Sequence, residues 1–394
     1  MYHVVSDVVI VGAGPSGAWA AYRLARRGAR VTLIDPSHPR EKPCGGGVTG
    51  RALDLVRDGV DPSRVPAVEV HSARFVDTAS NRSATVPLPA DAGRPALIVA
   101  SRRDFDAALL AAACGAGATL VRERVVDLRS IGNAITVRTA THAWTGAVVV
   151  GADGANSLVR RRLARPFRRD QLSIAAGYFA HGATSRDIVV ELVADPPGYI
   201  WSFPRPSHLA VGVCASADSA SAPMLKAKAL SWIQATKLAG GAALEAYSWP
   251  IPSLTAHDLD QLTVSGDGWA LVGDAAGLVD PITREGIYFA LRSADLLSDA
   301  LASGTRDRLA DYTARVRDEV GVELARAARL QQGFFRTRFS SSVIEALQRS
   351  ERVRHVMADL IAGRQGYADL RWRLVKTLEG GLAWRWLRDR VAAS

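Results

Sequence analysis

Residues 7–35, "DVVIVGAGPSGAWAAYRLARRGARVTLID", decide the fold class. A β-branched, apolar run from Val8 to Val11 enters a glycine-rich turn, a stretch of helical character continues to Arg27, and a second apolar run ends at Asp35. Uninterrupted apolar runs of this length suit strands buried on both faces of a parallel sheet. In the spacing Gly12-x-Gly14-x-x-Gly17, Gly12 permits the tight turn, Gly14 lets the backbone approach a pyrophosphate, and Gly17 lets the helix pack close to the strand. Pro15 and Ser16 open the helix, whose first amides carry the partial positive charge that a phosphate needs. Asp35 lies 18 residues beyond Gly17, near the distance at which a carboxylate meets a ribose, and Pro36 follows it. The unit reads as βαβ with a dinucleotide as its ligand.

At 394 residues and 48% hydrophobic content the chain supports one large domain or two interleaved ones. No apolar run reaches the ~18–20 residues of a membrane span. The N-terminus passes into a strand pattern without a signal-peptide layout, so a cytoplasmic location is expected. Cys44, Cys114 and Cys214 are scattered and form no CxxC pair, which argues against a disulfide framework or a metal site. Of the net charge of +10, an excess of 7 sits in residues 315–394, where 16 Arg or Lys meet 9 Asp or Glu. The final stretch, 370–394, mixes Trp372, Trp384 and Trp386 with arginines and Lys376. That composition suits peripheral contact with a lipid headgroup layer and equally a cap on a substrate domain. Nucleic acid is a poorer match, because the glycine fingerprint already accounts for the fold's business.

The stretch 268–291, "GWALVGDAAGLVDPITREGIYFAL", repeats the strand-then-turn theme: Trp269 to Val272 runs into Gly273 and Asp274, and a helix is expected to begin near Glu285, Gly286 and Ile287. It resembles the second flavin fingerprint of the FAD-dependent hydroxylase and reductase superfamily, the relatives of p-hydroxybenzoate hydroxylase. The resemblance implies FAD, with Asp274 on the ribitol, Gly273 and Pro281 in the same cofactor-side segment, and the helix start at the pyrimidine end of the isoalloxazine. A helix N-terminus there would stabilise the anionic reduced ring. Between the two fingerprints, "VVVGADGANSLVRRRL" (148–163) is similar to the superfamily's Asp-Gly motif, with Asp153 and Gly154 after a strand and Arg160 on the next helix. "SRRDFDAALLAAA" (101–113) matches its Arg-x-x-Phe-Asp pattern, which places Arg102 on the flavin side and leaves Arg103 as the decoy; the resemblance also assigns Val125 to the cofactor.

In "VVELVADPPGYIWSFPRPSHLAVGV" (189–213), Pro and Gly punctuate two or three strands of an antiparallel sheet. Tyr199, Trp201 and Phe203 alternate with period two, so their rings leave one face of the strand. A face covered by an ordinary core reads the same way. The string Tyr-x-Trp-x-Phe-Pro, however, resembles the signature of geranylgeranyl reductases, flavoenzymes that saturate prenyl double bonds. The resemblance implies that this strand lines the cavity beside the flavin, with Tyr199 and Trp201 at the reacting chain, and "WPIPSL" (249–254) is similar to the family's return strand. An apolar lining suits a prenyl chain, since each buried CH₂ contributes ~0.8 kcal/mol. Cys44, Gly45, Gly46 and Gly47 match the family's Cys-Gly-Gly-Gly segment, which crosses near the flavin ring. The thiol is then a candidate proton source or flavin tuner, against the plain alternative of a small buried hydrophobe. One departure stands out: where the family reads Thr-Gly-Glu-Gly, this chain has Thr283, Arg284, Glu285 and Gly286.

The expected architecture is α/β plus β. A discontinuous Rossmann-type, glutathione-reductase-like FAD domain takes 1–65, 96–165 and 265–310, a substrate sheet takes 66–95 and 166–264, and 311–394 is helical. The expected activity is reduction of carbon–carbon double bonds in a prenyl substrate, a small hydrophobic partner, with NADPH or a reduced ferredoxin-type protein as electron donor. The alternative on the same scaffold is an FAD-dependent monooxygenase, an aromatic hydroxylase, or a halogenase. Halogenation relies on a lysine, and none of the five lysines lies in a strand facing the flavin.

Overall fold

The structure, a computed structural model, describes residues 2–77, 81–91, 93–131, 134–334, 337–370 and 372–373. The first strand, Tyr2–Val11, runs parallel to Val31–Ile34 on one side and to His142–Gly151 on the other. Thr119–Val121 and Trp269–Leu271 extend the parallel core outward, within a sheet of eight strands. Val9 and Ile10 are fully buried, as an apolar run covered on both faces requires. The helix Pro15–Ala25 follows the glycine turn and packs on the helix Ile287–Ala302. Trp19 joins them: fully buried, it donates Nε1–H to Asp295 Oδ1 at 2.9 Å, which satisfies the one polar atom of a large apolar side chain. That hydrogen bond brings together two fingerprints separated by 276 residues.

The second sheet has seven strands, in the order Ala243–Pro252, Leu172–His181, His208–Ser216, Pro197–Pro204, Asp187–Ala194, Ser72–Asp77, Arg82–Pro87. Every neighbouring pair is antiparallel except Asp187–Ala194 with Ser72–Asp77, which is parallel because the chain reaches that edge from a distant part of the sequence. The stretch 189–213 therefore yields three strands. Ala67–Glu69 does not join this sheet; it pairs with Leu97–Ala100, which also pairs with Gly47–Thr49, in a small sheet of three strands. This small sheet fixes the end of the Cys44–Gly47 segment against the strand that leads into Arg102.

After residue 307 the described chain is helical, through Arg308–Val316, Val322–Phe334, Thr337–Arg349 and Glu351–Ile361. The last two pack on the edge of the seven-stranded sheet, where Ile344, Leu347, Val353 and Ala358 share a core with Val86 and Ile188. Trp372 is exposed, while Lys376, Trp384 and Trp386 of the basic tail lie outside the described residues. Among the described residues no helix is long and apolar enough to cross a membrane.

Candidate active site

A cavity of about 990 Å³ lies between the two large sheets, at the top of the ~300–1,000 Å³ range of small-molecule sites. The first fingerprint contributes Gly12, Gly14, Pro15 and Ser16 to its wall, with Asp35 and Pro36. Cys44 to Gly47, Arg102, Val125, Asp153 and Gly154 line it as well. So do Asp274, Glu285, Gly286 and Ile287, and, from the other sheet, Tyr199, Trp201 and Phe203. Gly17, Gly273 and Pro281 are not part of this wall: Gly17 packs on Gly12 and Ala152, Gly273 packs on Ser16, and Pro281 is buried. Arg102 is buried and Arg103 exposed.

Gly12 cannot be another residue. Its φ is +102°, and a Cβ there would lie 2.4 Å from the carbonyl oxygen of Ala152. Gly46 is similar, at φ +86° with its would-be Cβ 2.4 Å from Ala100 O. Phe203 packs flat against this bare backbone, within 3.3 Å of where side chains on Gly45 or Gly47 would begin. The glycine segment is thus a surface for a ring to lie on.

Several predicted ligands already have protein partners. Asp35 accepts from the amides of Ala13, Ser37 and His38 and from His38 Nδ1 at 2.8 Å. Burial pushes its carboxyl up, but the hydrogen bond and charge of His38 with these amides outweigh burial and hold it below the usual carboxylate range. Asp274 pairs with Lys42, Nζ to Oδ2 at 2.9 Å. Lys42 reaches the cavity from a loop, so the strand-based search for a lysine near the flavin missed it. Glu285 spends its carboxylate on Arg51 and on Thr49 Oγ1, and so clamps the loop before the helix Ile287–Ala302. Arg160 lies outside the cavity wall, stacked on Phe167 at 3.9 Å and donating to Ala275 O at 3.1 Å.

The thiol of Cys44 meets two guanidinium groups, Arg102 Nη1 at 3.7 Å and Arg205 Nη2 at 3.8 Å. Arg102 is held by Asp106, one helical turn on. Arg205, fully buried, went unnoticed in the sequence. It pairs with Glu41 and donates to the carbonyls of Cys44 (2.6 Å) and Gly45 (3.4 Å), so one side chain fixes the whole glycine segment. Its only local signal was a charged residue between two prolines at a strand end. Burial pushes Glu41 up, yet the Arg205 charge and bonds from Ser101 and Arg102 bring it below its ordinary value. His208 beside it is lowered to about 4 by burial first and then by the Arg205 charge. The unfolded chain takes up that proton near the ordinary 6.5 and the folded chain only near 4, so stability is full above that window and falls as pH drops through it. Urea midpoints measured across this window are expected to fall less for His208→Asn than for the parent; an identical acid-side loss would assign the effect elsewhere.

One part of the cavity wall is apolar: Phe75, Leu97, Ile188 and Val190 from strands, then Met357, Leu360 and Ile361 from the helix Glu351–Ile361. The spacing i, i+3, i+4 of those last three was visible in the sequence, but nothing in it said which surface they face.

The chain matches the FAD binding domain family over residues 5–328. It is 31% identical over 354 residues to the digeranylgeranylglycerophospholipid reductase of Methanothrix thermoacetophila, covering 84% of this chain and 88% of that protein. The chain belongs to the geranylgeranyl reductase family of FAD-dependent oxidoreductases. The menaquinone reductase of Mycolicibacterium smegmatis is another relative of this reductase-family chain, 29% identical over 329 residues, 76% of this chain and 77% of that one. Among solved structures, a geranylgeranyl bacteriochlorophyll reductase-like protein of Thermoplasma acidophilum superposes with a TM-score of 0.78 at 21% identity, over 96% of this chain and all of that one. A flavin-dependent brominase shares the fold at TM-score 0.70 and 20% identity, over 95% and 99% of the two chains.

The cavity of this family member fits its cofactor. The helix Pro15–Ala25 begins at Gly14 with no side-chain cap, and the helix Ile287–Ala302 begins at Gly286 in the same condition, so both offer uncapped amides at the wall. Asp153 accepts from Leu158 N and Val159 N through Oδ2, whereas its buried Oδ1 has no partner among the described residues. Burial raises that carboxyl, and a ligand hydroxyl would satisfy it.

Proposed function

We propose that the protein reduces carbon–carbon double bonds in a prenyl chain. One observation carries this reading: the aromatic row Tyr199, Trp201 and Phe203 and the bare Cys44–Gly47 backbone share a single cavity, part of whose wall is apolar and includes Met357, Leu360 and Ile361. The amides after Gly14 would hold the pyrophosphate of FAD, Asp35 a ribose, Asp274 the ribitol, and the helix start at Ile287 the pyrimidine edge. When bound, reduced FAD supplies the hydride. The chain's own residues do the rest. The apolar part of the wall excludes water and aligns the substrate at ~0.8 kcal/mol for each CH₂ it buries. Tyr199 and Trp201 orient the reacting segment, and Cys44 Sγ holds the proton for the second alkene carbon. Once that proton has left, the sulfur faces the guanidinium groups of Arg102 and Arg205. The electron donor is NADPH or a reduced ferredoxin-type protein.

The test is mass spectrometry of the purified protein with dithionite and a panel of prenyl lipids, each reduced bond adding two hydrogens. Cys44→Ser is expected to keep FAD bound and to lower alkene turnover by roughly 10²–10⁴-fold, the range of general acid catalysis. Unchanged turnover would assign the thiol to packing. Lys42 at the cavity gives the halogenase reading a supporting observation, and its pairing with Asp274 weakens it. Substrate-dependent incorporation of labelled oxygen or halide into product would favour that reading and overturn the reductase.

A further inference from the structure

Arg284 holds a left-handed backbone, with φ +59°, a conformation that favours glycine. A side chain retained at a left-handed position is an outlier that points to use. The guanidinium lines the cavity and donates Nη1 to Ser253 Oγ at 2.7 Å, while Nε has no partner among the described residues. Lys42 and Arg102, cations of the same wall, have Asp274 at 2.9 Å and Asp106 at 2.8 Å, but no carboxylate lies within ion-pair distance of Arg284 among the described residues.

Its surroundings supply donors and few acceptors. Strand register sets Trp249, Ala175, Cys214 and Tyr199 in one row across the sheet, on the face that holds the cavity. Arg284 also hydrogen-bonds the Cys214 thiol of that row, and its charge is felt by Tyr199, which leaves guanidinium N–H groups such as Nε for a ligand. Trp201, on the same face, and Trp249 each bury an indole N–H that finds no acceptor among the described residues. A guanidinium has five donors and no acceptor capacity, and an indole has one donor. Beside the apolar aromatic row these groups call for electron-rich oxygen from a ligand.

We infer that the substrate carries, beside its prenyl chain, an acceptor oxygen of a carboxylate or a ring carbonyl, and that Arg284 is the specificity residue that receives it. Arg40, whose guanidinium lies 5.2 Å over the Trp249 ring with no carboxylate partner among the described residues, is a second cation of this wall, so a diphosphate is the competing end group that the test sets against acid and quinone. The inference rests on the prenyl-chain reading for the rest of the substrate.

Dissociation constants of the FAD-loaded protein would be compared for geranylgeranoic acid, a geranylgeranylated naphthoquinone, geranylgeraniol and geranylgeranyl diphosphate. Menadione and benzoate serve as headgroups without a chain. Parent protein, Arg284→Gly and Arg284→Lys are run in parallel; glycine suits the backbone at 284, so that variant keeps the loop. The acid or the quinone is expected to bind about 10- to 100-fold more tightly than the alcohol, the worth of a hydrogen bond to a charged group. Arg284→Gly should erase that preference and leave the alcohol's affinity unchanged. Lysine should restore part of the preference. A preference that survives in Arg284→Gly, the absence of any end-group preference in the parent, or tighter binding of the diphosphate than of both acid and quinone overturns the inference. If no prenyl compound binds, the prenyl reading fails, and the headgroup probes decide this one: binding of menadione or benzoate that Arg284→Gly abolishes supports it, and anything else rejects it.

Discussion

Arg205→Ala is expected to lower stability by about 3–5 kcal/mol, the cost of removing one partner from a buried ion pair. The loss has three sources in the same small volume. Glu41 would keep a half-buried carboxylate without its cation, and the carbonyls of Cys44 and Gly45 would lose their donor. The aromatic ring of Phe179, over which the guanidinium lies at 5.0 Å, would face a void. Arg205→Lys should recover only part of this, because an ammonium is a point charge and cannot reach a carboxylate and two carbonyls from one planar fork. Urea unfolding measures the loss, and flavin-dependent turnover should fall further than stability alone explains, since the segment bearing Cys44 is untied. A midpoint for Arg205→Ala equal to the parent's would show that the fork holds nothing the loop needs.

Gly12→Val should give a protein without flavin. A Cβ at Gly12 would overlap Ala152 O at 2.4 Å, Ala152 C at 2.7 Å and Asp153 Cα at 2.9 Å, all backbone atoms that have no rotamer to escape into. The φ of +102° is itself unfavourable for a branched residue. Either the turn moves away from the phosphate site or the His142–Gly151 strand end moves, and both displace groups expected to touch the cofactor. Strain of even about 3 kcal/mol weakens binding more than 100-fold. Titration with FAD, followed by quenching of flavin fluorescence, measures this, with circular dichroism as the check that the sheet persists. A folded Gly12→Val protein that takes up FAD with the parent's affinity would remove this turn from the cofactor site.

What could be read from the sequence was what leaves a local mark on the chain. Gly12, Gly14 and Gly17 are legible because a backbone that must turn tightly or approach a ligand excludes other residues at fixed spacings. Tyr199, Trp201 and Phe203 are legible because a strand's period is two, and their ambiguity with an ordinary core was resolved only once the cavity lay in front of them. Arg205 and Lys42 left no such mark: their partners Glu41 and Asp274 are 164 and 232 residues away, and a single charge carries no direction. The depth of the aromatic wall had a fainter trace. Gly212 sits opposite Trp201, and a Cβ there would lie 2.4 Å from the indole, so the strand interior gives up a side chain to let the ring lie across it.

The helix Glu351–Ile361 packs on the sheet edge through apolar side chains such as Val353 and Ala358. It contributes Met357, a thioether of adaptable shape, with Leu360 and Ile361 to the cavity wall. Side chains of one packed helix therefore shape this part of the wall, whereas main chain woven into two sheets carries the glycine turn. Exchanging a methyl or a sulfur on that helix is expected to alter the room beside it and leave the glycine turn untouched, so molecules built on this plan can diversify in what they admit at little structural expense.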